Sequence, residues 1–219
     1  MLKYNDIRKN EKIRTYIRKA DESLNVMGYT EHSFAHVTKV AENARYLLKT
    51  MGFSEELCEL AAIAGYLHDI GNMVNREGHA HHGALIAFAL LEDMGVDAES
   101  IATVVTAIGN HDESAANSLT PVTAALILAD KSDACYTRVR NTDFAKFDIH
   151  DRVNYSVRKS ELKINPEHTS VTLSLTIDTE LSAVFDYFEI FLNRMVLCRK
   201  AAEMLGLKFH LEVNEQRLI

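Results

Sequence analysis

A mainly α-helical fold, in which a bundle of helices is followed by a small antiparallel β-hairpin or sheet and one long helix, is what the sequence predicts. Three observations predict it. Apolar residues recur at helical spacing through roughly the first two thirds of the chain, only two Pro and nine Gly interrupt 219 residues, and strict apolar/polar alternation starts only after about Asp151. A chain of this length can bury one large core. The change of texture divides it into a helical core over 1–150 and an α+β appendage over 151–219 packed on that core.

The elements follow in order. A polar helix is expected over Asp6–Lys19, then amphipathic helices over Glu31–Thr50, Ser54–Ile70, Ala80–Met94, Glu99–Asn110 and Pro121–Cys135. Start and stop signals agree with these spans. Gly52, Gly71 and Gly95 sit at helix ends, Ser54 with Glu55 and Glu56 opens one helix and Asp97 another, and Thr120-Pro121 reads as an N-cap with an N1 proline. Further on, Leu162 and Ile164 alternate with Lys163 and Asn165, Pro166–Thr169 reads as a turn, and Val171, Leu173, Leu175 and Ile177 alternate with Ser and Thr, which together predict a β-hairpin. A long helix over about Thr179–Leu205 ends at Gly206. Its stripe of Leu181, Val184, Phe185, Phe188, Phe191 and Met195 is expected to complete the core, and Phe209, Leu211 and Val213 suggest a third strand.

Composition removes several function classes. The net charge is -7, with 24 Lys and Arg against 31 Asp and Glu, so no basic face is offered to a nucleic-acid backbone and nucleic acid is not an expected partner. Met1–Lys12 is charged, and the apolar runs Leu60–Leu67 and Ala84–Leu91 are too short to span a bilayer, so a cytoplasmic protein without membrane partners is expected. Cys58, Cys135 and Cys198 are few and far apart, which supports neither a disulfide framework nor a zinc knuckle.

Ten His are the unusual feature, because imidazole is the commonest metal ligand. Their positions relative to the apolar stripes decide what they mean. His36 starts the stripe Val37, Val40, Ala44, Leu47; His68, followed by Asp69, ends Leu57, Leu60, Ala61, Ala64; His82 lies one turn before Leu85, Ile86, Ala89, Leu90. Ile101, Val104, Val105 and Ile108 lead to His111, and Val122 and Leu126 lead to Asp130. A single inward His is more often a core residue bonded to a carbonyl than a ligand. Inward Asp69 and Asp130 are costly to bury unless paired, and no equally regular set of inward Lys or Arg is there to pair them, so a shared cation accounts for the whole set. Nitrogen and oxygen donors without thiolate suit one or two divalent ions, of Fe, Mn, Co, Ni, Zn or Mg. Six donors suggest two metals bridged by a carboxylate, an arrangement used for displacement at phosphorus. His81 stays open as an alternative to His82, His32 shares the face of His36, and Asp112 and Glu113 are expected to be solvated.

This ordered set, His36 in FAHVTKVAENA, His68-Asp69 in LHDIGN, His82 in HHGALIAFALLED, His111 in IGNHDE and Asp130 in ILADKSD, resembles the HD-domain superfamily over roughly Thr30–Arg140. The resemblance implies a helical bundle of the dinuclear type, in which Asp69 bridges the metals, His36, His68 and Asp130 hold one, and His82 and His111 hold the other. It further implies a phosphohydrolase acting on a small phosphomonoester or phosphodiester, nucleotides among them, by a metal-bound hydroxide, with His68 and Asp69 as the catalytic pair. Many relatives continue the His-Asp doublet as HDIGK; Asn72 stands here instead and removes a cation, so substrate binding must use other groups. Lys131 and Arg138 are the preferred pair, with His81 a further candidate and Arg76, His79 and Arg140 nearby in sequence. Two other functions fit the same residues: a di-iron oxygenase, as in the relatives similar to inositol oxygenase, and a non-catalytic nucleotide-binding regulator.

Overall fold

The computed structural model describes residues 2–113, 120–141 and 143–219. Helix α1 spans Tyr4–Lys9 and α2 spans Glu11–Val26. The single helix expected over Asp6–Lys19 is therefore two. Asn10 is the reason: its backbone is extended, and its side chain accepts hydrogen bonds from the Lys12 and Ile13 amides, which starts a new helix.

Four further helices begin at side-chain caps, and three of these, Ser54, Asp97 and Thr120, were legible as starts, whereas the helix expected from Glu31 begins only after Ser33. Helix α3 (Phe34–Thr50) is capped by Ser33 and α4 (Glu55–Leu67) by Ser54. A 3-10 turn, Ile70–Met73, leads to α5 (His79–Asp93), then α6 (Ala98–Gly109) capped by Asp97 and α7 (Pro121–Lys131) capped by Thr120. Helix α7 is the axis of the bundle, with every residue from Val122 to Ala129 at most 1% exposed. Helices α3, α4 and α6 pack around it. Full burial of each large side chain there, Leu126, Ile127 and Leu128, stabilises the fold by about 1.5–3 kcal/mol. Helices α3 and α4 approach closely because Gly65 faces Ala41; a Cβ on Gly65 would lie 2.8 Å from the Ala41 Cα.

The remainder is α8 (Ile149–Ser156), β1 (Val157–Ile164), β2 (Ser170–Ile177), α9 (Val184–Met204), β3 (Lys208–Val213) and β4 (Gln216–Arg217). Strands β1 and β2 form the expected antiparallel hairpin, with Leu162 opposite Leu173 and Ile164 opposite Val171. The sheet, of order β1-β2-β3-β4, is not antiparallel throughout. Strand β3 pairs parallel to β2, with Ser170 opposite Lys208, because α9 carries the chain back to the starting end of β2 before β3 begins. Buried side chains from α1 through β3 form one cluster, including Phe191, Met195 and Cys198 of α9, which packs on α7. Phe185, expected in that stripe, is instead 76% exposed. Among the described residues no helix is long and apolar enough to cross a membrane.

Candidate metal centre

Helix ends converge on one spot. His36 lies in the first turn of α3, His68 caps the C-terminus of α4 with Asp69 directly after it, His79 is the first residue of α5, His111 follows the end of α6, and Asp130 is in the last turn of α7. His36, His68, Asp69, His79 and His111 are at most 5% exposed. Nε2 of His36 is 3.3 Å from Nε2 of His68, 3.5 Å from Asp69 Oδ2 and 3.4 Å from Asp130 Oδ1. Nε2 of His68 is 3.1 Å from Asp69 Oδ2 and 3.5 Å from Asp130 Oδ1, and Nε2 of His79 is 3.7 Å from Asp69 Oδ1. The His111 ring lies edge-on to those of His68 and His79, at centroid distances of 5.0 and 5.2 Å. Donor atoms of His36, His68 and Asp130, and of His68, Asp69 and His111, each gather within 4.8 Å of one another.

The opposite ring nitrogens explain why these imidazoles suit a cation. Nδ1 of His68 donates to the Gly65 carbonyl at 2.8 Å, Nδ1 of His111 to Ile108 at 2.6 Å, Nδ1 of His79 to Arg76 at 3.1 Å, and Nδ1 of His36 to Asp133 Oδ2 at 2.7 Å. Each ring is thereby fixed as the Nδ1–H tautomer, and each Nε2 lone pair is turned inward, the usual arrangement around a bound metal. Two lone pairs facing each other at 3.3 Å, with two carboxylates beside them, call for positive charge between them. The residues therefore fit a divalent metal.

Protons register the same demand. Burial and the neighbouring Arg138 push His36 down, but Asp130, Asp133 and Asp69 outweigh them and raise its pKa to about 9. Burial opposes the charged form of His68 as well, yet Asp69 and Asp130 carry it up to about 10. For His111, burial, with His68 and Lys131 adding to it, outweighs the pull of Asp130 and pushes the pKa down to about 3. Burial would raise Asp69, but His68, His32 and His36 hold it well below the usual carboxylate range.

One expected residue does not join the cluster. His82 is half-buried against Gly78, and its Nδ1 has no hydrogen-bond partner among the described residues; His79 faces Asp69 and His111 instead. The cause is the packing of α5. Its buried face is Ala80, Gly83, Ala84, Ala87, Leu90 and Leu91, whereas Leu85 is 69% exposed and Ala89 is exposed. Gly83 sits against the His68 carbonyl and Gly71, so the residue one turn earlier, His79, meets the doublet, while adjacent His82 is rotated away by about 100°. That glycine was the available signal; Leu85 drew the stripe to the wrong side. His81 is exposed and lines no part of the cleft.

Countercharges also exist where none were expected. Lys131 Nζ lies 2.7 Å from Asp130 Oδ2, and Lys39 Nζ lies 2.7 Å from Asp133 Oδ1. Arg138 donates to the Asp133 and Glu31 carbonyls. Glu113 is not simply solvated: it pairs with Arg194 at 2.6 Å and with Lys131 at 3.9 Å. Asn72 is fully buried, and its Nδ2 donates to both the carbonyl and Oδ1 of Asp69 at 2.9 Å. Asn72 Oδ1 accepts from Arg76 Nη1 at 3.3 Å, and the Arg76 guanidinium, over the ring of Tyr29, lies 3.9 Å from Asp69 Oδ1. A cation thus returns one turn beyond the position where lysine is missing.

Asp69, His79 and Asp130 open onto a cleft of about 360 Å³ that Arg76, Lys131, Arg138 and Arg194 also line, with Asp148 and Asp151 on α8 and its cap. Residues 33–135 match the family model of the HD domain. The chain is also similar to the uncharacterized protein MJ1020 of Methanocaldococcus jannaschii, 28% identical over 187 residues that cover 75% of this chain and 72% of that protein.

Proposed function

Residues 33–135 are an HD domain, of a family of metal-dependent phosphohydrolases, and from that premise we propose that this chain hydrolyses a small phosphomonoester or phosphodiester at a two-metal centre of His36, His68, Asp69, His79, His111 and Asp130. The observation that carries the reading is the convergence of inward Nε2 and carboxylate donors on the wall of a cleft that Arg76, Lys131, Arg138 and Arg194 also line. Divalent metals held there would lower the pKa of a water and offset the charge that builds on phosphoryl oxygens.

The chain's own groups divide the remaining work. Asn72 and Arg76 lie against Oδ1 of Asp69, which also faces His79, while Oδ2 faces His36 and His68, so the carboxylate stands between the two sets of nitrogen donors and would be the ligand they share. Asp133 orients His36 from outside. Arg76 keeps donors free of Asn72 on the cleft side and is suited to grip a phosphoryl oxygen, the task that a lysine in place of Asn72 would perform. Lys131 steadies Asp130.

The test is product release, free phosphate from phosphomonoesters and nucleotides and the monoester with its alcohol from phosphodiesters, by protein loaded in turn with Mn, Fe, Co, Ni, Zn and Mg. At least one metal should give turnover that Asp69→Ala abolishes. No release with any of them, or full activity in Asp69→Ala, would overturn the reading.

A further inference from the structure

The cations lining the cleft are not equivalent. Arg138 is engaged by the Glu31 and Asp133 carbonyls, Lys131 by Asp130, and Arg76 lies against Asn72 and Asp69. Arg194 comes from outside the HD domain, on α9, and uses only Nε, which donates to Glu113 Oε1 at 2.6 Å. Its guanidinium lies over the ring of Phe191 at 4.4 Å, and its two terminal nitrogens make no hydrogen bond among the described residues. Lys131 is drawn mainly to Asp130, at 2.7 Å against 3.9 Å for Glu113, so Glu113 holds Arg194 by one edge and leaves its terminal nitrogens to the cleft that Arg194 lines. The support beneath is rigid, since Tyr187, Phe191, Met195 and Cys198 of the same helix are at most 2% exposed.

We propose that Arg194 binds a second anionic group of the substrate, while the phosphoryl group sits at the metal centre. The inference rests on the phosphohydrolase reading and narrows it to phosphate esters that carry a carboxylate or further phosphate a few atoms from the reacting phosphorus. Arg194 is connected to Asp130 by a chain of ion pairs through Glu113 and Lys131, and Arg194 and Asp130 line one cleft. Guanidinium is suited to the role because its planar edge offers two parallel donors to a carboxylate or phosphate. The Phe191 ring stacked against the guanidinium restrains it at the cleft that both residues line.

Two esters that differ by one carboxylate, glycerol 3-phosphate and 3-phosphoglycerate, test this in the metal-loaded full-length chain. Calorimetric binding should favour 3-phosphoglycerate. Arg194→Gln should reduce that preference about tenfold, the loss expected for a charge-assisted hydrogen bond, and Arg194→Lys should restore part of it. If Arg194→Gln fails to fold, the intermediate preference of Arg194→Lys carries the test. A wild-type chain that prefers neither ester, or a preference unchanged in both variants, overturns the inference; so does an equal weakening of both esters, which would mark Arg194 as a tether for Glu113. Binding separates this from the broader reading. An Arg194-dependent preference without turnover would sink only the phosphohydrolase, and Asp69-dependent turnover with no Arg194 dependence would sink only the second-anion site.

Discussion

Asn72 illustrates how one substitution changes the chemistry around Asp69. Its side-chain amide is fully buried and fixes the Asp69 carboxylate, so Asn72→Ala leaves that carboxylate free to rotate in a site where its direction decides which metals it touches. Metal affinity, measured by competition with a chelator, should fall about 10–100-fold, as for other groups that orient ligands; affinity unchanged by Asn72→Ala would show that Asp69 is held by other means. The paired imidazoles make a second prediction, for the metal-free chain. His36 and His68 titrate near 9 and 10 when folded, above the unfolded value of about 6.5. Protons are then bound more tightly by the folded state, and their contribution to stability is complete below about pH 6.5 and is lost as pH rises toward the folded pKa values. Thermal unfolding of metal-free protein should accordingly occur at lower temperature at pH 9 than at pH 7, and saturating metal should flatten that slope. A metal-free chain more stable at pH 9 would show that the two imidazoles are not the proton sites.

Helix α5 decides whether the site is built correctly, and it does so through glycine. A Cβ on Gly71 would lie 2.0 Å from the His79 carbonyl oxygen and 2.4 Å from the Gly83 nitrogen, so Gly71→Ala must push the start of α5 away from the doublet. Overpacking of this kind costs about 1–3 kcal/mol. A lower melting temperature should appear together with metal loss, because His79 moves with the helix; a variant that melts early but keeps its full metal content would separate the contact from the site. The same contact explains what the sequence could convey. On α3 and α6 one face is buried and is marked by Val, Leu and Ile, so His36 and His111 could be placed from stripe position; α4 and α7 are buried nearly all round, and His68, Asp69 and Asp130 were legible as polar residues ending an apolar run. On α5 the closest packing is made by Gly83, Ala84 and Ala87, small residues with little hydrophobic signal, and the leucine that dominates the pattern, Leu85, faces solvent. The caps Ser54, Asp97 and Thr120 were legible because they act locally. Ion pairs such as Glu113–Arg194, 81 residues apart, left no local trace.

At the scale of the molecule, the C-terminal unit is continuous with the helical bundle. Leu173 and Leu211 of the sheet, Phe191 and Cys198 of α9 and Leu126 of α7 belong to one buried cluster, so the chain should unfold in a single cooperative transition by calorimetry. Two separated transitions would mean that the region beyond about residue 150 is a distinct domain. Continuity also matters for chemistry, since α9 supplies Phe191 and Arg194 to the cleft that the HD domain's donors face. All of this hangs on a metal centre closed by His79. Metal content per chain, measured after saturation and removal of free metal for wild type, His79→Ala and His82→Ala side by side, tests that most directly: about two equivalents are expected in wild type and in His82→Ala, and about one in His79→Ala. Full retention in His79→Ala with loss in His82→Ala, or no retained metal in wild type, would contradict the assignment.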